Sequence, residues 1–217
     1  MTNFPALVIF DMAGTTIEDR GQVPAAFTSA LNAHGIFLGA EEIVRVRGAS
    51  KRQAIRSLLP PDRADQADRI YADFRDALSH SYREDGVHAM PGSTELFTDL
   101  RARGIKVALT TGFDRDIATL LLTTVGWTNN IFDALVCGED VLNGRPAPDL
   151  ILLAMKLTGV SDLDTVANVG DTVLDLESGA RAGVKWNIGV LSGAHAREAL
   201  AQAPHTQLLS SIDDLRF

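Results

Sequence analysis

Cysteine is almost missing: Cys137 is the single one in 217 residues, which excludes an internal disulfide and any multi-cysteine metal cluster. That scarcity fits a reducing, cytoplasmic compartment, and Cys137, next to Val136, reads as a small buried apolar residue. A basic excess is missing as well. Lys and Arg number 20 against 28 Asp and Glu, a net charge of −8, so the footprint that a nucleic-acid partner requires is absent. A small anionic substrate stays compatible, because one local site can be basic on an acidic surface. The apolar run Ala6 to Phe10 is stopped by Asp11 and has no basic stretch before it, so neither a signal peptide nor a membrane span is expected. Internal repeats and low-complexity tracts are also lacking.

What is present suffices for one good core and a smaller satellite domain: 46% of residues are hydrophobic and 22% charged. Four short apolar runs have the length and β-branched content of buried strands, at 6–10, 105–109, 166–169 and 188–191, with a weaker fifth at 134–137. Between them lie helical patterns closed by glycine: Thr94 to Arg103 before Gly104, Asp114 to Val125 before Gly126, and Pro148 to Thr158 before Gly159. This alternation predicts an α/β fold, a doubly wound parallel sheet.

From Pro24 to Tyr82 the alternation stops and only helical signals remain. Phe27, Ala30 and Leu31 share a face, Ser50 with Gln53 reads as a capping box, Pro60-Pro61 ends that helix, and Ile70, Phe74, Ala77 and Leu78 line another face. An all-helical insert of about four helices follows, with joints at 14–21 and 86–92. The expected division is a core of 1–16 and 89–217 and an insert of 17–88.

Ligands of parallel sheets bind at the carboxyl ends of the strands. There stand Asp11-Met-Ala-Gly-Thr-Thr16, Thr110-Thr-Gly112 and Gly170-Asp-Thr-Val-Leu-Asp175, with Gly144-Arg-Pro146 before a further helix. Singly, each is weak, since an Asp after a strand is more often a turn or cap residue. Together, acidic groups, hydroxyls, glycine-lined backbone and one arginine suit a hard cation and a phosphoryl group.

This ordered set resembles the four motifs of the haloacid dehalogenase superfamily across essentially the whole chain, the helical insert being similar to that superfamily's cap. The resemblance implies a magnesium-dependent hydrolase, with Asp11 as nucleophile and Thr111, Gly112 and Arg145 holding the phosphoryl group. It assigns the metal to Asp11, the Ala13 carbonyl, Asp171 and Asp175. Ala13 departs from the phosphatases of the superfamily, which place a second Asp there to protonate the leaving oxygen, and Arg145 stands where Lys is usual. Both features resemble the phosphonoacetaldehyde hydrolase branch, which cuts a carbon–phosphorus bond. On that resemblance the segment Gly48-Ala-Ser-Lys-Arg-Gln-Ala-Ile-Arg56 places a Schiff-base lysine at Lys51. A carbon leaving group needs such an electron sink, which a protonated imine supplies.

Two positions depart from that branch: Ala54 stands where a His is expected and Phe113 where a Tyr is expected. The expected substrate is therefore phosphonoacetaldehyde or a related 2-oxoalkylphosphonate. The alternatives are a phosphate-ester phosphatase or mutase of the same fold, against which Ala13 speaks, and a non-catalytic phosphate-binding protein. The five histidines, His34, His80, His88, His195 and His205, are scattered and receive no role. A homodimer is left open.

Overall fold

The computed structural model describes residues 4–127 and 130–217. The apolar runs form the strands β1 (Leu7–Asp11), β2 (Lys106–Thr110), β3 (Ala134–Val136), β4 (Val166–Gly170) and β5 (Trp186–Val190), joined by β6 (Gln207–Leu209). All pair in parallel, in the order β3-β2-β1-β4-β5-β6. The expected doubly wound α/β fold is what is found. β6 went unread because it is three residues long, begins with an exposed Gln207 and is nowhere fully buried.

Successive side chains of a strand point to opposite faces, and β1 shows the consequence. Val8 and Phe10 pack with α5 (Ser93–Ala102) and α6 (Arg115–Thr124), through Phe97, Leu100, Ile117 and Leu121. Leu7 and Ile9 pack on the other face with α7 (Asp149–Thr158), through Leu150, Ile151 and Ala154. Beside α7 lies α8 (Val173–Ala182), followed by the short α9 (Arg197–Leu200). A strand buried on both faces reads as a continuous apolar run, and β1 does so from Leu7 to Phe10 before ending on the buried Asp11.

Between β1 and α5 the chain forms α1 (Gln22–Ala33), α2 (Ala40–Arg45), α3 (Lys51–Leu58) and α4 (Ala67–Glu84). Phe27 of α1 meets Phe74 of α4 with ring centroids 4.5 Å apart, and Leu31, Ile55, Ile70 and Leu78 are buried around them. Each such side chain stabilises the layer by about 1.5–3 kcal/mol. The two connecting strands of chain lie side by side: Ile17 bridges Ala89, Glu18 N–H donates to the His88 carbonyl at 2.9 Å, and Met90 N–H to that of Thr16 at 2.8 Å.

One local expectation is corrected. Ser50 does occupy the N-cap of α3, but its side chain makes no cap hydrogen bond. The N–H of Lys51 instead donates to the carbonyl of Gly112 at 3.1 Å, and the Gln53 amide reaches the Leu142 carbonyl at 3.5 Å. Contacts across the two layers replace the local cap.

Candidate active site

β1 lies between β2 and β4, so the strand ends around it meet where the connections diverge to either side, the usual ligand crevice of such sheets. Asp11 ends β1, Thr110 ends β2 and Asp171 follows β4. Asp11, Ala13, Lys51, Thr111, Gly112, Arg145 and Asp171 line one cavity of about 20 Å³, with room for about one water.

The loop after β1 is wound tightly because the Met12 carbonyl accepts the N–H groups of Thr15, Thr16 and Ile17. Among the described residues the Ala13 carbonyl accepts no hydrogen bond. Oxygens of Asp11, Asp171 and Asp175 lie within 4.8 Å of one another, all three buried. Asp171 is held by Thr15 Oγ1 at 3.1 Å and Ala194 N–H at 2.6 Å. Gly14 and Gly193 close around it, since a methyl at either would come within 2.4 Å or 1.9 Å of its Oδ2.

Burial pushes the Asp11 carboxyl up to about 6, with Arg145 pulling the other way. Burial, then the neighbouring Asp11 and Asp175, push Asp171 up to about 7. Like charges crowded out of water are costly, and a divalent cation relieves that cost. The all-oxygen donor set and the unbonded Ala13 carbonyl fit a hard ion such as magnesium.

Arg145 is buried, and its three nitrogens are all engaged. Nη1 donates to Asp11 Oδ1 at 2.7 Å, Nη2 to Thr110 Oγ1 at 2.7 Å, and Nε pairs with Asp175 Oδ1 at 2.8 Å. Burial opposes the charge, but Asp175 and Asp11 outweigh it and hold the guanidinium above its usual range. Asp175 lies outside the cavity lining. As the third residue of a capping box its Oδ2 accepts from Thr172 N–H at 3.0 Å, while Thr172 Oγ1 accepts from Asp175 N–H at 3.2 Å. The Thr-x-x-Asp spacing carried that signal in the sequence.

Lys51 opens α3 and is buried. Its Nζ donates to the Ala49 carbonyl at 3.1 Å and sits 4.9 Å from the centre of the Phe113 ring. Burial, then the positive charge of Arg47, bring its ammonium down to about 8. Thr111, also buried, accepts from Phe113 N–H through Oγ1 at 3.2 Å, and among the described residues its own hydroxyl proton has no acceptor and is available to a ligand.

Two glycines let the helical layer approach this closely. Gly112 passes so near the loop before α3 that a methyl there would come within 2.3 Å of the Ala49 carbonyl. Gly48 has φ +89°, a left-handed conformation, and faces Thr172 Oγ1 at 2.3 Å from where a Cβ would stand. Thr15, Thr110 and Thr172, which the strand-end motifs contain without marking a role for them, orient Asp171, Arg145 and Asp175 through their hydroxyls.

The profile of haloacid dehalogenase-like hydrolases matches residues 8–188. The chain belongs to that family. A phosphonoacetaldehyde hydrolase from Latilactobacillus sakei subsp. sakei (strain 23K) is 32% identical over 193 residues, 82% of this chain and 72% of that one. The solved structure of a phosphonoacetaldehyde hydrolase-like protein from Oleispira antarctica superposes with a TM-score of 0.84 at 26% identity, covering 100% of this chain and 93% of the other. A bifunctional phosphonoacetaldehyde hydrolase/aminoethylphosphonate transaminase from Clostridioides difficile (strain 630) is 28% identical over 202 residues, and the chain spans 31% of its length. This haloacid dehalogenase-like enzyme is thus a phosphonatase-like hydrolase by kinship. Among its described residues no helix is long and apolar enough to cross a membrane.

Proposed function

We propose that this hydrolase cleaves the carbon–phosphorus bond of phosphonoacetaldehyde or a related 2-oxoalkylphosphonate. The observation that carries the reading is Lys51: a buried amine, brought down to about 8, lining the same cavity as Asp11, with Ala13 where an ester hydrolase needs an acid. The unprotonated Lys51 would add to the substrate carbonyl and release water, forming an imine that is protonated in place. Asp11 would then attack phosphorus. The electrons of the breaking carbon–phosphorus bond pass into the iminium, leaving an enamine on Lys51 and a phosphoryl group on Asp11. Protonation at carbon and hydrolysis of imine and acyl phosphate return both residues.

The Asp11 and Asp171 carboxylates and the Ala13 carbonyl would hold a magnesium ion, bordered by Asp175, whose charge offsets the repulsion between Asp11 and an anionic target. Arg145, steered by Asp175 and Thr110, keeps a donor where the transferring oxygens gather charge, and Thr111 with Gly112 completes that clamp. The cavity is too small for a phosphonyl group, so residues 17–88 would act as a cap that opens from the core of 1–16 and 89–217 to admit substrate.

The test is phosphate release from phosphonoacetaldehyde and from a panel of phosphate esters, with magnesium and after chelation. Release from the phosphonate that stops on chelation and returns with magnesium is expected. Ala13→Asp, which restores the missing acid, should shift the activity ratio toward esters by about tenfold or more. Ester hydrolysis by the parent enzyme without phosphonate cleavage, or a gain in phosphonate cleavage by the variant, would contradict the reading.

A further inference from the structure

Arg47 is a second buried arginine of the cavity; its charge helps lower the Lys51 ammonium, but its hydrogen-bond donors take no part in the phosphoryl clamp or the imine. Its Nη2 pairs with Asp19. Among the described residues its Nε and Nη1 find no acceptor. Among the described residues the sealed side-chain nitrogen without a partner is Arg75 Nε, so the unengaged Arg47 nitrogens keep some accessibility, and Arg47 lines the cavity. A guanidinium carries five N–H donors in a planar fork, and here most are unspent.

Asp19 balances the charge of Arg47 but occupies only one of its nitrogens. Its Oδ1 already accepts the N–H groups of Gly21 at 3.0 Å and Val23 at 3.3 Å, at the head of α1. The carboxylate therefore holds Arg47 through Oδ2 alone and leaves its other donors unengaged. Buried donors left open to a ligand site favour a ligand acceptor that satisfies them, and a planar fork favours a carboxylate.

The phosphonyl end of a substrate belongs at Asp11 and Arg145, and the carbonyl carbon at Lys51, so Arg47 meets whatever the carbonyl carbon carries beyond that bond. We infer that Arg47 is a specificity-determining residue that binds a carboxylate, making the substrate a 3-phosphono-2-oxo acid rather than an aldehyde. The inference rests on the phosphonatase reading. The chemistry balances: the 2-oxo acid and Lys51 form an imine with loss of water, phosphorus passes to Asp11, and the enamine takes a proton at carbon. Hydrolysis then yields phosphate and the methyl 2-oxo acid.

The experiment compares 3-phosphono-2-oxopropanoate with phosphonoacetaldehyde in the full chain with magnesium. The parent enzyme is expected to favour the oxo acid in kcat/KM by about tenfold or more. Arg47→Met keeps the apolar stem and removes the fork, and should lose about 10–100-fold more on the oxo acid than on the aldehyde. Because that change strands Asp19, the double variant Asp19→Asn/Arg47→Met is run beside it and should show the same split. Equal losses on both substrates in both variants, or a parent enzyme that cleaves the aldehyde and not the oxo acid, overturn the inference. Cleavage of neither overturns the phosphonatase reading and this inference with it.

Discussion

Asp11→Asn is expected to lower turnover by at least about a hundredfold while leaving the far-ultraviolet spectrum and melting profile close to those of the parent. The amide matches the carboxylate in shape but can neither attack phosphorus nor bind a cation as well. Folding should survive, because the carboxyl is itself destabilised where it stands: burial pushes it up to about 6 in spite of Arg145. The cost of the substitution falls on Arg145, which loses one charged contact at Nη1 and keeps Thr110 and Asp175. Steady-state assay of phosphate release checks this. Residual activity above about a hundredth of the parent is too much for a variant lacking its covalent nucleophile.

Lys51→Arg should be the second severe loss, below about a thousandth of parental phosphonate cleavage, although charge and stem are kept. Only an unprotonated primary amine can form the imine, and a guanidinium is always charged. The pH profile of the parent carries the same information. An ordinary lysine, near 10.4, is almost wholly charged at neutrality, whereas burial and Arg47 bring Lys51 down to about 8. The amine is protonated and inert below that value and free above it, so kcat/KM for the phosphonate should rise as pH passes upward through about 8. Near-normal cleavage by Lys51→Arg would remove the imine from the mechanism.

The strand ends were legible because buried parallel strands are short apolar runs and the polar residue that stops each run marks its carboxyl end. Asp11, Thr111 and Asp171 could be placed at one crevice from that alone. Less legible was whatever depends on distant pieces of chain meeting. Arg47 pairs with Asp19 across 28 positions of sequence, and no local pattern marks such a pair. The Ser50–Gln53 spacing resembles a capping box, yet the backbone of Gly112 takes the N–H of Lys51, because a core loop passes closer than the side chain. Conversely, Thr172–Asp175 is a capping box in fact, and its Thr-x-x-Asp spacing is visible in the sequence. Gly48 and Gly112 stand in the quoted segments without a packing role, whereas they are points where the helical layer touches the core.

The central claim is that Lys51 carries the substrate as an imine while Asp11 takes phosphorus. Borohydride reduction in the presence of phosphonoacetaldehyde or 3-phosphono-2-oxopropanoate, followed by peptide mass spectrometry, tests it most directly. The account predicts irreversible inactivation and a reduced adduct on the peptide bearing Lys51, absent without substrate and absent in Lys51→Arg. An enzyme that releases phosphate from the phosphonate yet shows no adduct at Lys51 under reduction would contradict it.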